Sequence, residues 1–328
     1  MATKSINKGI FMSLCMLIGI ANIGECKILH VPTSKYPLIQ VAINKAHNGD
    51  TIIVKDGIYK GLGNTNITLY GKAIKIQSQN GPNQTIIHCQ NRSQGFIVKY
   101  GEKSTTIISG FKIIQAKGNF GGGIYCFNAS PTITNMIIEN NQAKVGAGIY
   151  CFKSNPVIHN CIMQNNIALQ GGGIFCSYSS PQLTMSNIVD NRAQNEGGGM
   201  YCYRYSNPYI FDTLIANNIA RMGGALFSKE SSVPELVNSS ITSNTAYIGG
   251  GMYCLDSHFP QMTYTQLINN TSDCDEDVFT LHANKMTHRL YVADNESNDI
   301  SNSISKELAT NIQIVNQTIN INPLLISE

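Results

Sequence analysis

The sequence predicts an all-β protein, a right-handed parallel β-helix (solenoid) in which each repeat winds once around a common axis. Three observations predict this fold: internal repeats of about 25 residues, apolar runs of only three to five residues, and a composition of 29 Gly with 13% charged residues in 328. Short apolar runs broken by Gly, Pro or Asn are typical of strands rather than helices. We expect about nine or ten turns, here called rungs, with a capping helix at the N-terminal end.

The repeat is the strongest of these observations. A block of three small residues, mostly Gly, is followed by an apolar residue, an aromatic residue and usually Cys, with steps of 25 or 26 residues between copies. The first copy, from Gly121, reads Gly-Gly-Gly-Ile-Tyr-Cys, and a degenerate copy from Gly223 reads Gly-Gly-Ala-Leu-Phe-Ser. An apolar residue three positions before a recurring Asn and a small residue two positions after it form further columns. The Pro and Asn columns are Pro131, Pro156, Pro181, Pro208, Pro234 and Pro260, and Asn141, Asn166, Asn191, Asn218, Asn244 and Asn270.

One repeat of this length is expected to form a rung of three short strands and three turns. Neighbouring rungs hydrogen-bond about 4.8 Å apart, so equivalent residues stack. The apolar column then fills the interior, and the Asn column forms a ladder of side-chain amides at a turn. The Gly block permits a tight corner, and the Pro column lies at the start of the second strand or in the turn before it.

Residues 1–26 are predicted to form an export signal. Lys4 and Lys8 precede an apolar stretch of about a dozen residues, and small residues follow at two candidate cleavage positions. The stretch is short for a membrane span, and no later segment is long enough for one, so we expect no transmembrane segment after removal of the signal. The protein is therefore expected to be secreted or displayed at the cell surface.

The rest of the chain divides into three predicted parts. Residues 27–119 hold the cap helix and the first rungs, residues 120–272 the regular repeats of 25–27 residues, and residues 273–328 a last rung and a tail. The helix is predicted over residues 36–49, because Ile39, Ala42 and Ile43 share one face. Strands of the first part are predicted over residues 51–54, 67–69, 73–76, 85–89, 95–98, 106–108 and 111–114.

The N-terminal part resembles a known family. The segments Tyr36-Pro-Leu-Ile-Gln-Val-Ala-Ile, Asn48-Gly-Asp-Thr-Ile-Ile-Val and Asp56-Gly-Ile-Tyr are similar to the N-terminal cap of pectin-lyase-like right-handed parallel β-helix proteins. The pattern Ile-x-x-Asn-x-Ala followed by Gly-Gly-Gly-Ile resembles the repeats of chlamydial polymorphic outer membrane proteins. The resemblance covers about residues 28–272 and implies the fold, whereas the shared motifs are structural and imply little about activity.

Cysteine and aromatic residues occupy neighbouring columns. If Ile124 points into the interior, Cys126 does too, whereas Tyr125 points outward. Stacked Cys residues would be wider apart than a relaxed disulfide prefers, so we expect a column of buried thiols. The outward aromatic stripe is expected either to contact sugar rings or a protein partner, or to pack beneath a loop. As candidate ligand-binding residues this stripe comprises Tyr125, Tyr150, Phe175, Tyr201, Phe227 and Tyr253.

Catalytic and metal-binding candidates are few. The lyases of the resembled family hold Ca²⁺ with clustered carboxylates and use Lys or Arg as a base, whereas a glycosidase needs two carboxylates facing each other. The best catalytic hypothesis is that four charged residues line one face of the β-helix. The alternative is that they are solvated charges in turns. An acidic cluster follows the last repeat. It is interpreted either as a Ca²⁺ site or as a solvated acidic turn. The catalytic candidates are Asp190, Arg192, Asp212 and Arg221, and the metal candidates are Asp273, Asp275, Glu276 and Asp277.

Binding is the function that the sequence favours, in the form of adhesin-like contact with a carbohydrate or a cell surface. The alternative is a polysaccharide lyase or hydrolase that acts on an acidic polysaccharide. A net charge of +3 without a basic block argues against nucleic acid as a partner. No cofactor is expected apart from Ca²⁺ at the acidic cluster, and the sequence leaves the oligomeric state open.

Overall fold

The computed structural model describes residues 26–274, 278–281 and 291–293. Within them the chain forms a parallel β-helix with one short helix, α1 (Ile39–Lys45), near its N-terminal end. Residues 1–25 of the predicted signal (residues 1–26) and most of the predicted C-terminal part lie outside the described residues.

Four parallel sheets run along the axis, and each regular rung contributes one strand to each of them. Sheet I contains β1 (Ile28–Val31), β2 (Thr51–Val54), β5 (Lys75–Ser78), β8 (Ile107–Ser109), β12 (Thr132–Thr134), β16 (Val157–His159), β20 (Gln182–Thr184), β24 (Tyr209–Phe211), β28 (Glu235–Val237) and β32 (Gln261–Thr263). Sheet II contains β3 (Gly57–Lys60), β6 (Thr85–His88), β9 (Lys112–Ile114), β13 (Ile137–Glu139), β17 (Ile162–Gln164), β21 (Asn187–Val189), β25 (Leu214–Ala216), β29 (Ser240–Thr242), β33 (Gln266–Ile268) and β36 (Tyr291–Ala293).

The chain continues from sheet II into sheet III and then into sheet IV. Sheet III contains β10 (Lys117–Phe120), β14 (Gln142–Val145), β18 (Ile167–Gln170), β22 (Arg192–Glu196), β26 (Ile219–Met222), β30 (Thr245–Ile248) and β34 (Thr271–Ser272). Sheet IV contains β4 (Ile67–Thr68), β7 (Phe96–Val98), β11 (Ile124–Phe127), β15 (Ile149–Phe152), β19 (Ile174–Ser177), β23 (Met200–Tyr203), β27 (Leu226–Lys229), β31 (Met252–Leu255) and β35 (Val278–Leu281). Its nine strands correspond to about nine turns of the helix.

Equivalent residues stack in register, as the repeat predicts. Ile124 pairs with Ile149, which pairs with Ile174, and all three are fully buried. The interior is a single apolar core filled by such columns from sheets I, II and IV. The Pro column directly precedes the strands of sheet I; the Pro131 carbonyl, for example, accepts the Val157 N–H at 3.1 Å.

The prediction of three strands in each rung is wrong, because the regular rungs have four. The fourth is the strand of sheet III, which begins directly after the ladder Asn. It carries no large apolar residue at its second position: β14, for example, reads Gln-Ala-Lys-Val. A segment with only a small inward residue is indistinguishable in sequence from a turn, which is why the strand was not predicted.

The Asn ladder is confirmed. Asn141 donates through Nδ2 to Asn166 Oδ1 at 3.0 Å, and the same oxygen accepts the Asn141 backbone N–H at 3.1 Å. Asn166 repeats both bonds with Asn191, each at 3.0 Å. The remaining amide hydrogen goes to a backbone carbonyl of the preceding rung, such as Ile138 for Asn166 at 2.9 Å. The buried turn therefore keeps its polar groups paired from rung to rung.

A second ladder, of serines, was not predicted from the sequence. The Ser154 N–H donates to Ser179 Oγ at 3.0 Å, and the Ser179 N–H donates to Ser206 Oγ at 3.2 Å. Each Oγ in turn donates to a carbonyl of its own turn, as Ser179 does to Ser177 at 2.8 Å. Each of these hydroxyls therefore accepts a hydrogen bond from the backbone of a neighbouring rung and donates one to a carbonyl of its own rung.

The N-terminal cap follows the prediction with shorter bounds. The helix spans seven residues and buries Ile39, Ala42 and Ile43, as predicted. It begins later and ends earlier than residues 36–49 because Leu38 and Ala46 both have extended backbones. The predicted strands of this region all occur, shifted by at most two residues at either end, whereas β1 and β3 were not predicted.

The Cys column consists of buried free thiols, as expected. Cys126, Cys151, Cys176, Cys202 and Cys254 are fully buried, and none is in a disulfide. Burial raises the pKa of Cys254 from its ordinary value of 9.0 to about 12, although Ser228 lowers it somewhat. The column thus behaves as a stack of small apolar residues.

Removal of one rung of the Asn ladder should be costly. In Asn166→Ala, the backbone N–H of Asn141 and one side-chain N–H of Asn141 lose their shared acceptor. The Ile138 carbonyl loses the donor that Asn166 supplies. Since each orphaned buried group costs about 1–3 kcal/mol, we expect the free energy of unfolding to fall by at least about 2 kcal/mol in urea titrations. The exposed Asn119→Ala is the matched control, and equal midpoints for the two variants would contradict the ladder's role.

Stability should also fall at alkaline pH. The unfolded chain releases the proton of Cys254 near pH 9, whereas the folded chain holds it to about pH 12. The contribution of this protonated thiol to the free energy of unfolding is therefore complete below pH 9 and is lost as the pH rises towards 12. The loss is up to about 1.4 kcal/mol per pH unit for each such thiol. Urea midpoints between pH 8 and 11 measure the slope, and Cys254→Ala should reduce it. An unchanged slope in that variant would contradict the assignment.

Candidate functional site

The aromatic stripe of sheet IV points away from the interior, as predicted, and of the two expectations for it the structure favours packing beneath another segment over contact with a sugar or a protein partner. Its members from Tyr150 onward are at most 8% exposed, and they form a second apolar cluster outside the main core. The rings stack from rung to rung; the Tyr150 and Phe175 centroids lie 5.4 Å apart with an interplanar angle of 3°. Burial raises the pKa of Tyr150 to about 12.

The end of sheet III covers this stripe. Gly146 has a φ of +64°, and its position lies against Phe175: a Cβ built there would be 3.1 Å from the Phe175 Cβ. The sheet III strands thus end over the outer face of sheet IV, where Val145, Met222 and Ile248 pack against the rings. This long-range fold-back removes the surface on which the predicted sugar contact depends, and it agrees with the alternative in which the stripe packs beneath another segment.

The four catalytic candidates do not converge. Asp190 and Asp212 both occupy exposed turns with positive φ, but at opposite ends of the sheet II strands. Asp190 lies beside Ala216, to whose carbonyl its N–H donates, and Ala216 follows Asp212 by four residues, or about 13 Å of strand. Asp212 instead accepts a hydrogen bond from Asn238 at 3.4 Å. The expectation that the four residues line one face is therefore wrong for the two carboxylates.

The two arginines, by contrast, share one face. Arg192 and Arg221 are both exposed on the outer face of sheet III. Of the predicted metal ligands, Asp273 is exposed just after β34, whereas Asp275, Glu276 and Asp277 lie outside the described residues. Across the described ranges, no group of three or more His, Cys, Asp or Glu side chains is arranged to hold a metal ion.

The outer face of sheet III forms a groove of about 860 Å³ along the helix axis. Its floor is the backbone of small residues at the second position of five strands: Gly118, Ala143, Ala168, Ala193 and Ala220. Exposed side chains at the first and third positions form its two walls. The left wall is Lys117, Gln142, Ile167, Arg192 and Ile219, and the right wall is Asn119, Lys144, Leu169, Gln194 and Arg221.

The groove is positively charged. Lys117, Lys144, Arg192 and Arg221 lie in its walls, and its lining contains no carboxylate. Ion pairs in the described part of the chain lie elsewhere, at Lys112–Glu139, Arg204–Glu230 and His47–Asp50. The four cations are therefore available to an anionic ligand.

Comparison with known proteins bears on this fold. The sequence matches the family described as the right-handed β-helix region over residues 9–189, more than half of the chain. The chain belongs to this family. Among solved structures, the crystal structure of pectate lyase Pel9A superposes with a TM-score of 0.54, covering 87% of this chain and 83% of that one at 12% identity. At that identity the similarity shows the fold alone. A comparison with curated proteins gave no significant match.

The groove of this right-handed β-helix was not predicted as a site. Two of its cations, Arg192 and Arg221, were singled out in the sequence, but with the wrong partners. The available signal was the strict alternation of small and exposed residues in segments such as Gln142-Ala-Lys, which marks a one-sided strand. None of the helices that the structure describes is long and apolar enough to cross a membrane.

Truncation of a stripe residue should destabilise the fold. Phe227 is 1% exposed and lies 4.8 Å from Tyr201, centroid to centroid. Phe227→Ala should lower the free energy of unfolding by about 3–5 kcal/mol, as measured by urea titration. Tyr205→Ala, at a side chain that is 64% exposed, should change it by less than about 1 kcal/mol. Equal stability of the two variants would show that the stripe is not a packed layer.

Proposed function

We propose that the protein binds a linear acidic polysaccharide along the groove of sheet III. The single observation that carries this proposal is the lining: four cations without a carboxylate, in a straight groove on a rigid sheet. The groove crosses five strands, which gives a length of about 19 Å, and its walls are separated by about 7 Å of strand. These dimensions suit one extended chain rather than a globular partner.

The small residues of the floor favour close approach of the ligand. Ala143, Ala168 and Ala193 project no side chain between the walls, so a sugar ring can lie directly on the backbone of the sheet. Because β14, β18, β22 and β26 are paired on both sides and β10 is paired with β14, the cations stand on a scaffold that does not need to be ordered on binding. Ile167 and Leu169, which are 50% and 41% exposed, offer apolar contact to the ring faces.

Cleavage of such a polymer is the alternative function, and the similarity in fold to pectate lyase Pel9A is its support. The groove favours binding over cleavage. A hydrolase needs two carboxylates across the scissile bond, and the groove lining supplies none. A lyase would take its base from Lys117, Lys144, Arg192 or Arg221, without a carboxylate cluster in the groove lining.

The proposal includes a location outside the cell. The basic and apolar character of residues 4–21 supports export, and an extracellular polysaccharide is then the accessible polyanion. The resemblance of the repeats to those of chlamydial polymorphic outer membrane proteins supports display at a surface, where binding would act as adhesion.

Neutralising the groove should weaken binding. We expect K117Q/K144Q/R192Q/R221Q to lose about thirtyfold in affinity for polygalacturonate, alginate or chondroitin sulfate, since four exposed ion pairs of about 0.5 kcal/mol each contribute about 2 kcal/mol. Calorimetry at two salt concentrations measures the loss, and wild-type affinity should fall as salt rises.

The matched control is K45Q/K55Q/K60Q/K103Q, which removes the same charge from exposed lysines outside sheet III. It should bind as the wild type does. Equal losses of affinity in the two variants would show that binding depends on net charge and not on the groove. Failure of the wild type to bind any of the three polymers would overturn the proposal. Release of unsaturated products, followed by ultraviolet absorbance, would instead support the lyase.

A further inference from the structure

The cations of the groove are not evenly distributed along it. With the strands of the groove numbered one to five from β10 to β26, Lys117 lies in the left wall of the first strand and Lys144 in the right wall of the second. Arg192 lies in the left wall of the fourth and Arg221 in the right wall of the fifth. The second pair therefore repeats the first after three rungs, or about 14 Å.

The strand register confirms this repeat for the left wall. Lys117 pairs with Gln142, Gln142 with Ile167, and Ile167 with Arg192, so Arg192 stands three strands above Lys117 in the same row. Arg192 pairs in turn with Ile219. Lys144 and Arg221 each lie two residues after the left-wall residue of their own strand, on the same face. The extra residue of β22 falls between Ala193 and Glu196, after Arg192, so the left-wall row keeps its register.

The third strand separates the two pairs with apolar side chains. Ile167 and Leu169 occupy both walls there. Along the groove, a ligand therefore meets a cation in the left wall, then a cation in the right wall, then an apolar rung. The same order of charges begins again at the fourth strand.

We infer that the groove reads charge spacing, and that its ligand is a linear uronan wound as a three-fold helix with one sugar on each rung. In such a chain, successive carboxylates point in three directions in turn. One faces the left wall, the next faces the right wall and the third faces solvent, so that the third sugar presents its ring to Ile167 and Leu169. This inference rests on the proposed function and specifies the conformation of the polymer that the groove accepts.

The alternative is a diffuse positive field, in which only the number and density of cations matter. The two models separate in a variant that moves cations without changing composition. The variant K117Q/Q142K/Q194R/R221Q exchanges residues within each wall. It keeps four cations in the groove but places them on the second and fourth strands, two rungs apart. All four positions are exposed, so the exchange leaves the packed layers intact.

The spacing model predicts that this exchange variant binds a pentagalacturonate at least about fivefold more weakly than the wild type, close to the double neutralisation K117Q/R221Q. A diffuse field predicts equal or tighter binding, because the cations are closer together. Calorimetry gives the affinities, and circular dichroism and thermal midpoints show that all variants are folded. Binding by the exchange variant at wild-type strength would overturn the inference while leaving the proposed function standing.

Oligomer length provides a second test on the wild-type protein. A trigalacturonate spans one cation pair, whereas a pentagalacturonate spans both, so the affinity should rise at least tenfold between three and five residues and change little beyond five. A smooth rise with length that continues past five residues would contradict a site of two pairs. A wild type that binds neither oligomer nor polymer would overturn the proposed function itself.

Discussion

The hydrogen bonds that join each rung to the next constrain everything else in this molecule. The Oδ1 of Asn166 accepts from both the backbone and the side chain of Asn141, so the turn before sheet III is fixed in height and in register. A slip of one residue would move each inward side chain to the outside. Length changes are therefore confined to places outside the ladders, such as the extra residue of β22 and the turn at Arg204 and Tyr205.

The same constraint explains how much of the fold the sequence could predict. Stacking turns a structural requirement into a visible column, and Asn141, Asn166 and Asn191 could be assigned to a buried ladder because they recur at one step. The inward position of Ile124 and Cys126 followed from strand alternation. The cap helix was predicted from Ile39, Ala42 and Ile43, whereas its bounds depended on local backbone conformation that composition does not specify.

The candidate site was harder to predict because it depends on contacts across the rung. The outward direction of Phe227 could be deduced from its neighbours in the strand. Its burial could not, since it depends on Met222 and Ile248, which sheet III carries back over sheet IV. Asp190 and Asp212 are close in sequence, but the width of sheet II separates them. Proximity in sequence predicts little in a solenoid, where the nearest neighbour in space lies one repeat away.

Variation among the repeats of this chain separates scaffold from recognition surface. The ladder Asn and the small floor residues hardly change from rung to rung, because every rung must satisfy the same packing. The wall positions change from Lys117 to Gln142 to Ile167 along one row. Variation at exposed positions carries no information about function by itself, since an exposed strand position tolerates many residues. A single sign of charge does carry information: four cations and no carboxylate in the lining concentrate a positive field along one line. Because the rungs stack at a fixed distance, the cations along this line have a fixed spacing. The regular hydrogen bonding that stabilises the fold therefore also sets the charge spacing that a linear ligand must match.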